Sequence, residues 1–196
     1  MARKQSPDFD RRKEAIVAKA AALFASRGFL GTSVVDLATA CKTSKALVYH
    51  YFGAKEDVLY AVMSSHLDDL LATAESIAHQ TDLTPEERLS RLTHAFMEIY
   101  AGAADYQNVL LNALDNLPPA RAADIVKRQR RIIEIAAGDI AVLNGGRTDD
   151  PAFPLTMLYF GMINWAHIWY RPDGAMTPDQ FADMAVRVFL NGVKSR

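Results

Sequence analysis

The chain has 196 residues, of which half are hydrophobic and 23% are charged; its formal net charge is −1 and its one cysteine is Cys41. A chain of this length can bury a core without disulfides, and a single thiol excludes both an intramolecular disulfide and a cysteine-based zinc cluster. The sequence contains neither a secretory signal pattern nor an apolar run long enough to cross a bilayer, so we expect a cytoplasmic protein with no membrane partner.

Charge is distributed unevenly along the sequence. The first 60 residues contain ten Lys or Arg and six Asp or Glu, a net charge of +4, which leaves −5 for the remainder. A basic segment ahead of an acidic one suggests that the first part meets a polyanion, although a chance fluctuation would give the same asymmetry.

Apolar residues recur at helical spacing through nearly all of the chain, and no stretch alternates as a half-buried strand does. The pattern predicts an all-α fold of about nine helices. Their expected ranges are 9–27, 34–41, 44–52, 55–79, 85–104, 106–115, 119–143, 152–170 and 178–193. Thr84 and Thr177 each precede a proline and, three positions on, a Glu or Gln, which predicts capping boxes at two helix starts.

The first three predicted helices are short and closely spaced. The first ends at Gly28, because glycine readily takes the left-handed conformation that terminates a helix. Ser33 is expected to cap the second helix, and Lys42 and Thr43 leave a very short turn before the third. Two short helices separated by such a turn predict a helix-turn-helix in an N-terminal head.

The third helix is expected to present a mixed polar face to solvent. At about 100° per residue, one side is shared by Val48, Phe52, Tyr51 and Ser44, whereas Ala46 and His50 point the opposite way and Lys45 lies at the N-terminal end. A major groove admits such a helix, with Lys45 donating to a guanine and Ala46 touching a thymine methyl. The alternative is that the aromatic residues here only fill the core, and for Phe52 we accept it.

These residues resemble a known signature. Thr32-Ser33 and Asp36-Leu37-Ala38, followed by Ser44-Lys45, Tyr49-His50-Tyr51-Phe52-Gly53 and Lys55-Glu56, are similar to the DNA-binding segment of tetracycline-repressor (TetR) family regulators over residues 10 to 60. The resemblance implies an all-helical homodimer that represses transcription from a palindromic operator on double-stranded DNA and is released by a small hydrophobic effector. It implies a DNA-binding domain, 1–54, and a ligand-binding and dimerisation domain, 55–196. The implied DNA contacts are Thr32, Ser33, Lys42, Thr43, Ser44, Lys45, Ala46, Tyr49, His50 and Lys55.

Two positions depart from the pattern of this family. Lys42 stands where the turn glycine is usual, and Thr43 replaces a small apolar residue. Lys42 is therefore expected to adopt a positive φ at a modest cost in strain, and its ammonium could add a phosphate contact.

The C-terminal part is expected to hold the dimer interface and the effector. The eighth predicted helix is apolar on nearly every side, so one side must face the interior while another needs a partner. Together with the last helix it would form a four-helix interface, with contacts from Trp169, Phe181, Met184, Val188 and Phe189.

The resemblance implies an apolar cavity, and the residues expected to line it are Phe96, Tyr100, Asn108, Tyr159, Met162 and Trp165. The alternative for each of them is a filled core.

The class of effector has a weaker signal. Residues 164–174 resemble the late region of regulators of acyl-CoA, lipid, sterol or aromatic-acid catabolism, which implies an effector of one of these classes. Lys127, Arg130 and Arg131 share a helix face that would suit the phosphates of coenzyme A, although an ordinary solvated face paired with Glu134 explains them more simply.

Two other functional classes stay open as alternatives. A metal-dependent helical enzyme would use pairs such as His94 with Glu98 or His66 with Asp68, but neither pair has a third ligand at a readable spacing. No phosphate-binding loop or nucleophile elbow is present, so we expect no catalytic residues, no metal and no cofactor. An all-helical protein-interaction adaptor is the other alternative, and the basic head argues against it.

Overall fold

The computed structural model describes residues 7–145, 151–171 and 174–194. Within these ranges the chain forms ten α-helices and one 3-10 turn and contains no strand, so the predicted all-α class is confirmed. The helices are α1 (Pro7–Arg27), α2 (Val34–Ala40), α3 (Lys45–Tyr51), α4 (Lys55–Ala78), α5 (Pro85–Gly102), α6 (Ala104–Asn112), α7 (Pro119–Leu143), α8 (Ala152–Asn164), α9 (Ala166–Trp169) and α10 (Pro178–Lys194). The 3-10 turn, Leu114–Asn116, takes the place of the last residues expected in the sixth helix.

The chain divides into two compact units. The first comprises Met1–His66 and Asp105–Ile125, and the second comprises Leu67–Ala104 and Val126–Arg196. The predicted domain boundary between residues 54 and 55 lies inside the first unit, since the beginning of α4, most of α6 and the start of α7 belong to the same unit as α1 to α3.

Local hydrogen bonds set the helix starts where the sequence predicts them. The hydroxyl of Thr84 accepts from the amide of Glu87 at 3.2 Å, and the Glu87 carboxylate accepts from the amide of Thr84 at 2.8 Å. These bonds hold the pKa of Glu87 below its usual value. Thr177 and Gln180 form the same reciprocal pair, so both predicted capping boxes are confirmed.

The helix expected over 152–170 is interrupted at Asn164. The ring of His167 bonds through Nδ1 to the carbonyl of Asn164 at 2.7 Å, and this is the carbonyl that the amide of Ile168 would use in a continuous helix. That amide bonds instead to the carbonyl of Trp165 at 3.1 Å. A side chain that competes for a backbone carbonyl therefore separates α8 from α9.

Each unit has its own apolar core. In the first unit α2 packs on α1 and α3, and in the second α10 packs along α5 and against α8. Buried core residues of the first unit include Ile16, Phe24, Leu37, Val48, Phe52 and Leu59, and those of the second include Phe96, Met97, Ile140, Tyr159, Ile163 and Phe189. Burial of each large side chain contributes roughly 1.5–3 kcal/mol, which is enough to fix the faces that α3 and α8 turn inward.

Candidate nucleic-acid interface and ligand region

The turn between α2 and α3 is a Schellman motif. After Cys41, the C-cap of α2, the amide of Lys42 donates to the carbonyl of Thr39 at 3.0 Å, and the amide of Thr43 donates to the carbonyl of Ala38 at 2.9 Å. This pairing requires a left-handed residue directly after the helix, and Lys42 supplies it with a φ of +50°. The predicted positive φ at Lys42 is confirmed.

The next residues direct one face of α3 into the core and the other to solvent. The hydroxyl of Ser44 accepts from the amide of Leu47 at 3.1 Å and caps the helix. Val48 and Phe52 are only 1% and 4% exposed. The exposed residues of this segment are Lys42, Ser44, Lys45, Ala46, Tyr49 and His50, whereas Thr43 is half-buried. The predicted orientation of α3 is confirmed.

Ring contacts hold two of the outward side chains. The Lys45 ammonium lies 5.7 Å from the centroid of the Tyr49 ring, within reach of a cation–π interaction. The His50 ring meets Phe9 edge-on at 6.3 Å, and Phe9 also packs against Tyr51 at 4.5 Å. Sequence reasoning missed Phe9, although it lies two turns before Ile16 and extends the apolar stripe of α1.

Two predicted DNA contacts have other partners. Thr32 is 1% exposed, and its hydroxyl donates to the carbonyl of Gly28 at 2.9 Å, so this hydroxyl is already used within the chain. The Lys55 ammonium donates to the carbonyls of Phe29 and Thr32 at 2.8 and 2.9 Å and lies 4.0 Å from the Phe29 ring centroid. Lys55 thus ties the start of α4 to the loop after α1. Ser33 is exposed, but its amide and hydroxyl are used in a capping box with Asp36.

A polar cluster that the sequence did not indicate fixes the beginning of α4. Asp57 accepts from the amide of Ala54 at 3.0 Å and pairs with Arg121 at 2.5 Å. The Arg121 guanidinium lies 4.8 Å from the centroid of the Tyr60 ring, and the Tyr60 hydroxyl donates to Asp124 at 2.8 Å. Because these residues all belong to the first unit, the first turns of α4 and α7 support each other beside the helix-turn-helix.

Family models match both parts of the chain. Residues 16–62 match the model of bacterial regulatory proteins of the tetR family, and residues 82–193 match the model of the tetracyclin repressor-like C-terminal domain. The chain belongs to the TetR family. It is therefore a DNA-binding transcriptional regulator of the helix-turn-helix type, and the predicted family is confirmed.

The similar proteins match nearly the whole length of this chain. The transcriptional repressor KstR2 of Mycobacterium tuberculosis H37Rv is 28% identical over 192 residues, which cover 93% of this chain and 92% of KstR2. A TetR-family regulator from Bordetella parapertussis 12822 superposes with a TM-score of 0.87 at 36% identity and covers 91% of this chain and 94% of its own. AibR, solved in complex with isovaleryl coenzyme A and operator DNA, superposes with a TM-score of 0.80 at 27% identity, covering 90% and 97%.

Two of the residues expected to line the effector cavity of this TetR-family protein fill its core. Phe96 and Tyr159 are 1% and 0% exposed. The Tyr159 hydroxyl lies 2.8 Å from that of Thr93, which in turn donates to the carbonyl of Leu89 at 2.7 Å, so the phenol is the donor of the pair. Burial raises the pKa of Tyr159 and keeps the phenol neutral.

The other four expected ligand contacts do not share one environment. The Tyr100 hydroxyl donates to the side-chain oxygen of Asn164 at 2.8 Å, and Met162 is half-buried in the same unit. Trp165 is 61% exposed, which places it on the surface of the subunit. Asn108 is half-buried and belongs to the first unit.

Helix α8 buries one side and exposes the other, as its all-round apolar sequence predicts. Its buried residues are Thr156, Tyr159, Phe160 and Ile163. Its large exposed residues are Phe153, Met157 and Leu158, and Trp165 follows directly; all four are 45–65% exposed. At 100° per residue the three exposed residues span about 140° of the helix surface, so they form one continuous apolar face that the described residues leave uncovered.

Of the expected subunit contacts, Phe181 and Phe189 are buried within the chain, with exposures of 4% and 6%, and their role at an interface stays a prediction. Phe181 packs against the ring of Trp169 at 5.5 Å. Val188 and Trp169 remain 57% and 48% exposed, and Met184 is half-buried. Most of the apolar stripe of α10 packs on α5 of the same chain, and only part of the stripe stays exposed for a partner subunit.

The basic residues of α7 lie on an ordinary solvent-exposed face. Arg131 approaches Glu75 at 3.7 Å and Glu134 at 3.8 Å, and Lys127 and Arg130 are exposed. Exposed pairs of this kind contribute little to stability. Arg131, one of the three cations that coenzyme A phosphates would use, is already paired with carboxylates.

The histidines considered as metal ligands have protein partners. His94 bonds through Nδ1 to the carbonyl of Ser90 at 2.9 Å and through Nε2 to Asp183 at 3.0 Å. His66 is buried with its Nε2 2.8 Å from the side-chain oxygen of Gln107. Among the described residues no three His, Cys, Asp or Glu side chains are grouped as metal ligands, and no helix there has both the length and the apolarity to cross a bilayer.

Proposed function

We propose that this TetR-family regulator is a homodimeric repressor that binds a palindromic operator and is released by a small hydrophobic effector, with acyl-CoA thioesters as the first class to test and lipids and aromatic acids as the others. The observation that carries the proposal is the division of α3, which buries Val48 and turns Lys45, Ala46, Tyr49 and His50 to solvent.

The polar face of α3 has the chemistry that a major groove requires. Lys45 can donate to guanine O6 and N7, and Ala46 can contact a thymine methyl. Tyr49 and His50 lie beside them and can donate to phosphates, which fixes the register of the helix on the duplex. The capping hydroxyl of Ser44 and the backbone of Thr43 stand at the end of α3 that enters the groove first.

The exposed apolar face supports a homodimer. Phe153, Met157, Leu158 and Trp165 leave a large uncovered surface on α8, and Val188 on α10 adds another exposed aliphatic side chain of the same unit. A patch of this kind on a soluble chain marks an interface. A twofold pair of subunits would also supply the two reading helices that a palindrome requires. We therefore propose Trp169, Met184 and Val188 as subunit contacts together with the face of α8.

The effector proposal rests on relatives and on one polar pair. AibR has been solved with isovaleryl coenzyme A, and it shares its fold with this chain. In the second unit, Tyr100 on α5 and Asn164 on α8 bring a hydroxyl and an amide together, and Met162 lies two residues before Asn164 on α8. A few polar groups in apolar surroundings are typical of small-molecule sites. Family membership, and not the lack of a visible catalytic site, is the reason for proposing a regulator instead of an enzyme or an adaptor.

The test is a fluorescence anisotropy titration of the purified chain with a labelled duplex from upstream of its own gene and with a scrambled duplex of equal length. We expect tighter binding to the upstream duplex and a steep decrease of both affinities with salt. Isovaleryl-CoA, longer acyl-CoAs, free coenzyme A and benzoate are then added to the complex. Release by an acyl-CoA but not by free coenzyme A supports the proposal. Equal affinity for both duplexes would contradict the regulator, and failure of every effector would contradict only its ligand class.

A further inference from the structure

The residue in the turn of the helix-turn-helix is a poor choice for stability. Lys42 has a φ of +50°, and the other described residues with positive φ are glycines, Gly28 at +73° and Gly145 at +65°. A β-carbon is disfavoured in the left-handed region, whereas glycine enters it freely. The Schellman hydrogen bonds of this turn are made by backbone atoms, so glycine would make them equally well.

The Lys42 side chain makes no contact with the described residues that would offset this strain. It is exposed, and it forms neither a hydrogen bond nor an ion pair with any other residue that the structure describes. A cation at the end of α2 gains a small interaction with the helix dipole, but α2 has only seven residues and the gain at an exposed site is modest. The internal contacts of the head therefore give no reason for a lysine at this position.

The position of Lys42 next to the predicted DNA-reading helix gives a reason for a lysine there. It lies two residues before Ser44 and three before Lys45, on the turn that leads into α3, and its ammonium is on a flexible stem. A lysine at this point can contact a phosphate of the DNA backbone beside the groove, and its flexible stem allows more than one geometry for that contact. Phosphate contacts of this kind contribute to affinity without reading sequence.

We propose that Lys42 is a phosphate anchor that is retained at the expense of backbone strain, so that it strengthens binding to any duplex and destabilises the free head. This inference rests on the proposed function and specifies how one residue serves it. Each head would contribute one phosphate contact, and the two heads of a dimer would contribute two.

The expected magnitude follows from counterion release. Each phosphate contact contributes about 0.9 to the slope of log affinity against log salt, so removal of two contacts should reduce the slope by about 1.8. The same relation gives a loss of about fivefold per contact at about 0.15 M salt, or about thirtyfold for a dimer. Because the contact reads no bases, the loss should be the same for the upstream and the scrambled duplex.

The experiment compares Lys42→Gly with two matched variants. Lys42→Asn removes the charge but keeps a residue that tolerates the left-handed region, and Lys42→Arg keeps the charge. We expect the Gly and Asn variants to lose affinity and salt slope on both duplexes, the Arg variant to keep both, and the Gly variant to unfold at a higher temperature than the parent. An unchanged slope in the Gly and Asn variants, with a parent that binds normally, would overturn the inference alone. A loss confined to the upstream duplex would also overturn it, because that pattern indicates a base contact. A parent that binds no duplex would overturn the proposed function as well.

Discussion

Replacement of Thr93 by valine should destabilise the second unit more than replacement of Tyr159 by phenylalanine. The phenol donates to the Thr93 hydroxyl at 2.8 Å, and that hydroxyl donates to the carbonyl of Leu89 at 2.7 Å. Tyr159→Phe removes one hydrogen bond and leaves Thr93 paired with Leu89, which costs about 1 kcal/mol. Thr93→Val keeps the shape of the side chain but leaves a phenol that is 0% exposed without its acceptor, which costs about 1–3 kcal/mol.

The double variant should be nearly as stable as Tyr159→Phe alone, because removal of both polar groups leaves no buried group unpaired. The two single costs would then not add, and the coupling should equal the Thr93→Val cost, about 1–3 kcal/mol. Urea denaturation followed by circular dichroism at one fixed protein concentration measures all four proteins, and fixing the concentration removes the contribution of subunit association. A Tyr159→Phe cost larger than that of Thr93→Val, or strictly additive costs, would refute the hydrogen-bond directions assigned to this pair.

Three further changes test the head and the exposed apolar face. Tyr49→Ala should weaken operator binding in an anisotropy titration while the thermal unfolding temperature stays the same, because the ring is 43% exposed; unchanged affinity would remove Tyr49 from the interface. Lys55→Met should lower the stability of the chain by about 1–3 kcal/mol in urea denaturation, since two carbonyls lose a charged donor, and a variant as stable as the parent would contradict that role. Leu158→Asp should convert the dimer to monomers in light scattering, with Val142→Asp, which is 65% exposed on α7, as the matched control; equal mass for both variants would place the interface elsewhere.

The helix-turn-helix could be predicted because its determinants are local. The cap at Ser44, the two-residue turn at Lys42 and the spacing of Val48 and Phe52 all lie within eleven residues, and each depends only on backbone geometry and helical periodicity. The positive φ at Lys42 was predicted from the family resemblance, because Lys42 stands where the turn glycine is usual.

The partners of Lys55 and Arg121 could not be predicted, because they depend on contacts between distant parts of the sequence. Lys55 bonds to carbonyls 23 and 26 residues away, and a loop carbonyl has no signature in the sequence. Tyr60 and Asp124, which join the Arg121 cluster, are 64 residues apart. The family resemblance implied a phosphate contact for Lys55, whereas the ammonium bonds to two carbonyls of the loop after α1.

The faces of α10 were ambiguous for a different reason. Periodicity identifies an apolar stripe but does not tell whether its partner is the same subunit or another one. Phe181 packs against Trp169 and Phe189 against Tyr159, whereas Val188 is exposed, so only the packed chain separates the buried part of the stripe from the exposed part. The interruption after Asn164 was equally hidden, since it depends on the direction in which the His167 ring points.

The central claim is that two copies of α3 read one palindromic site from a symmetric dimer. Sedimentation of the protein with a labelled duplex from upstream of its own gene, at several mixing ratios, measures the number of chains per duplex most directly. The account predicts chains bound in pairs, with protected half-sites whose centres lie about 10 base pairs or a multiple of that apart. A complex that contains a single chain, or free duplex at every mixing ratio in low salt, would contradict it.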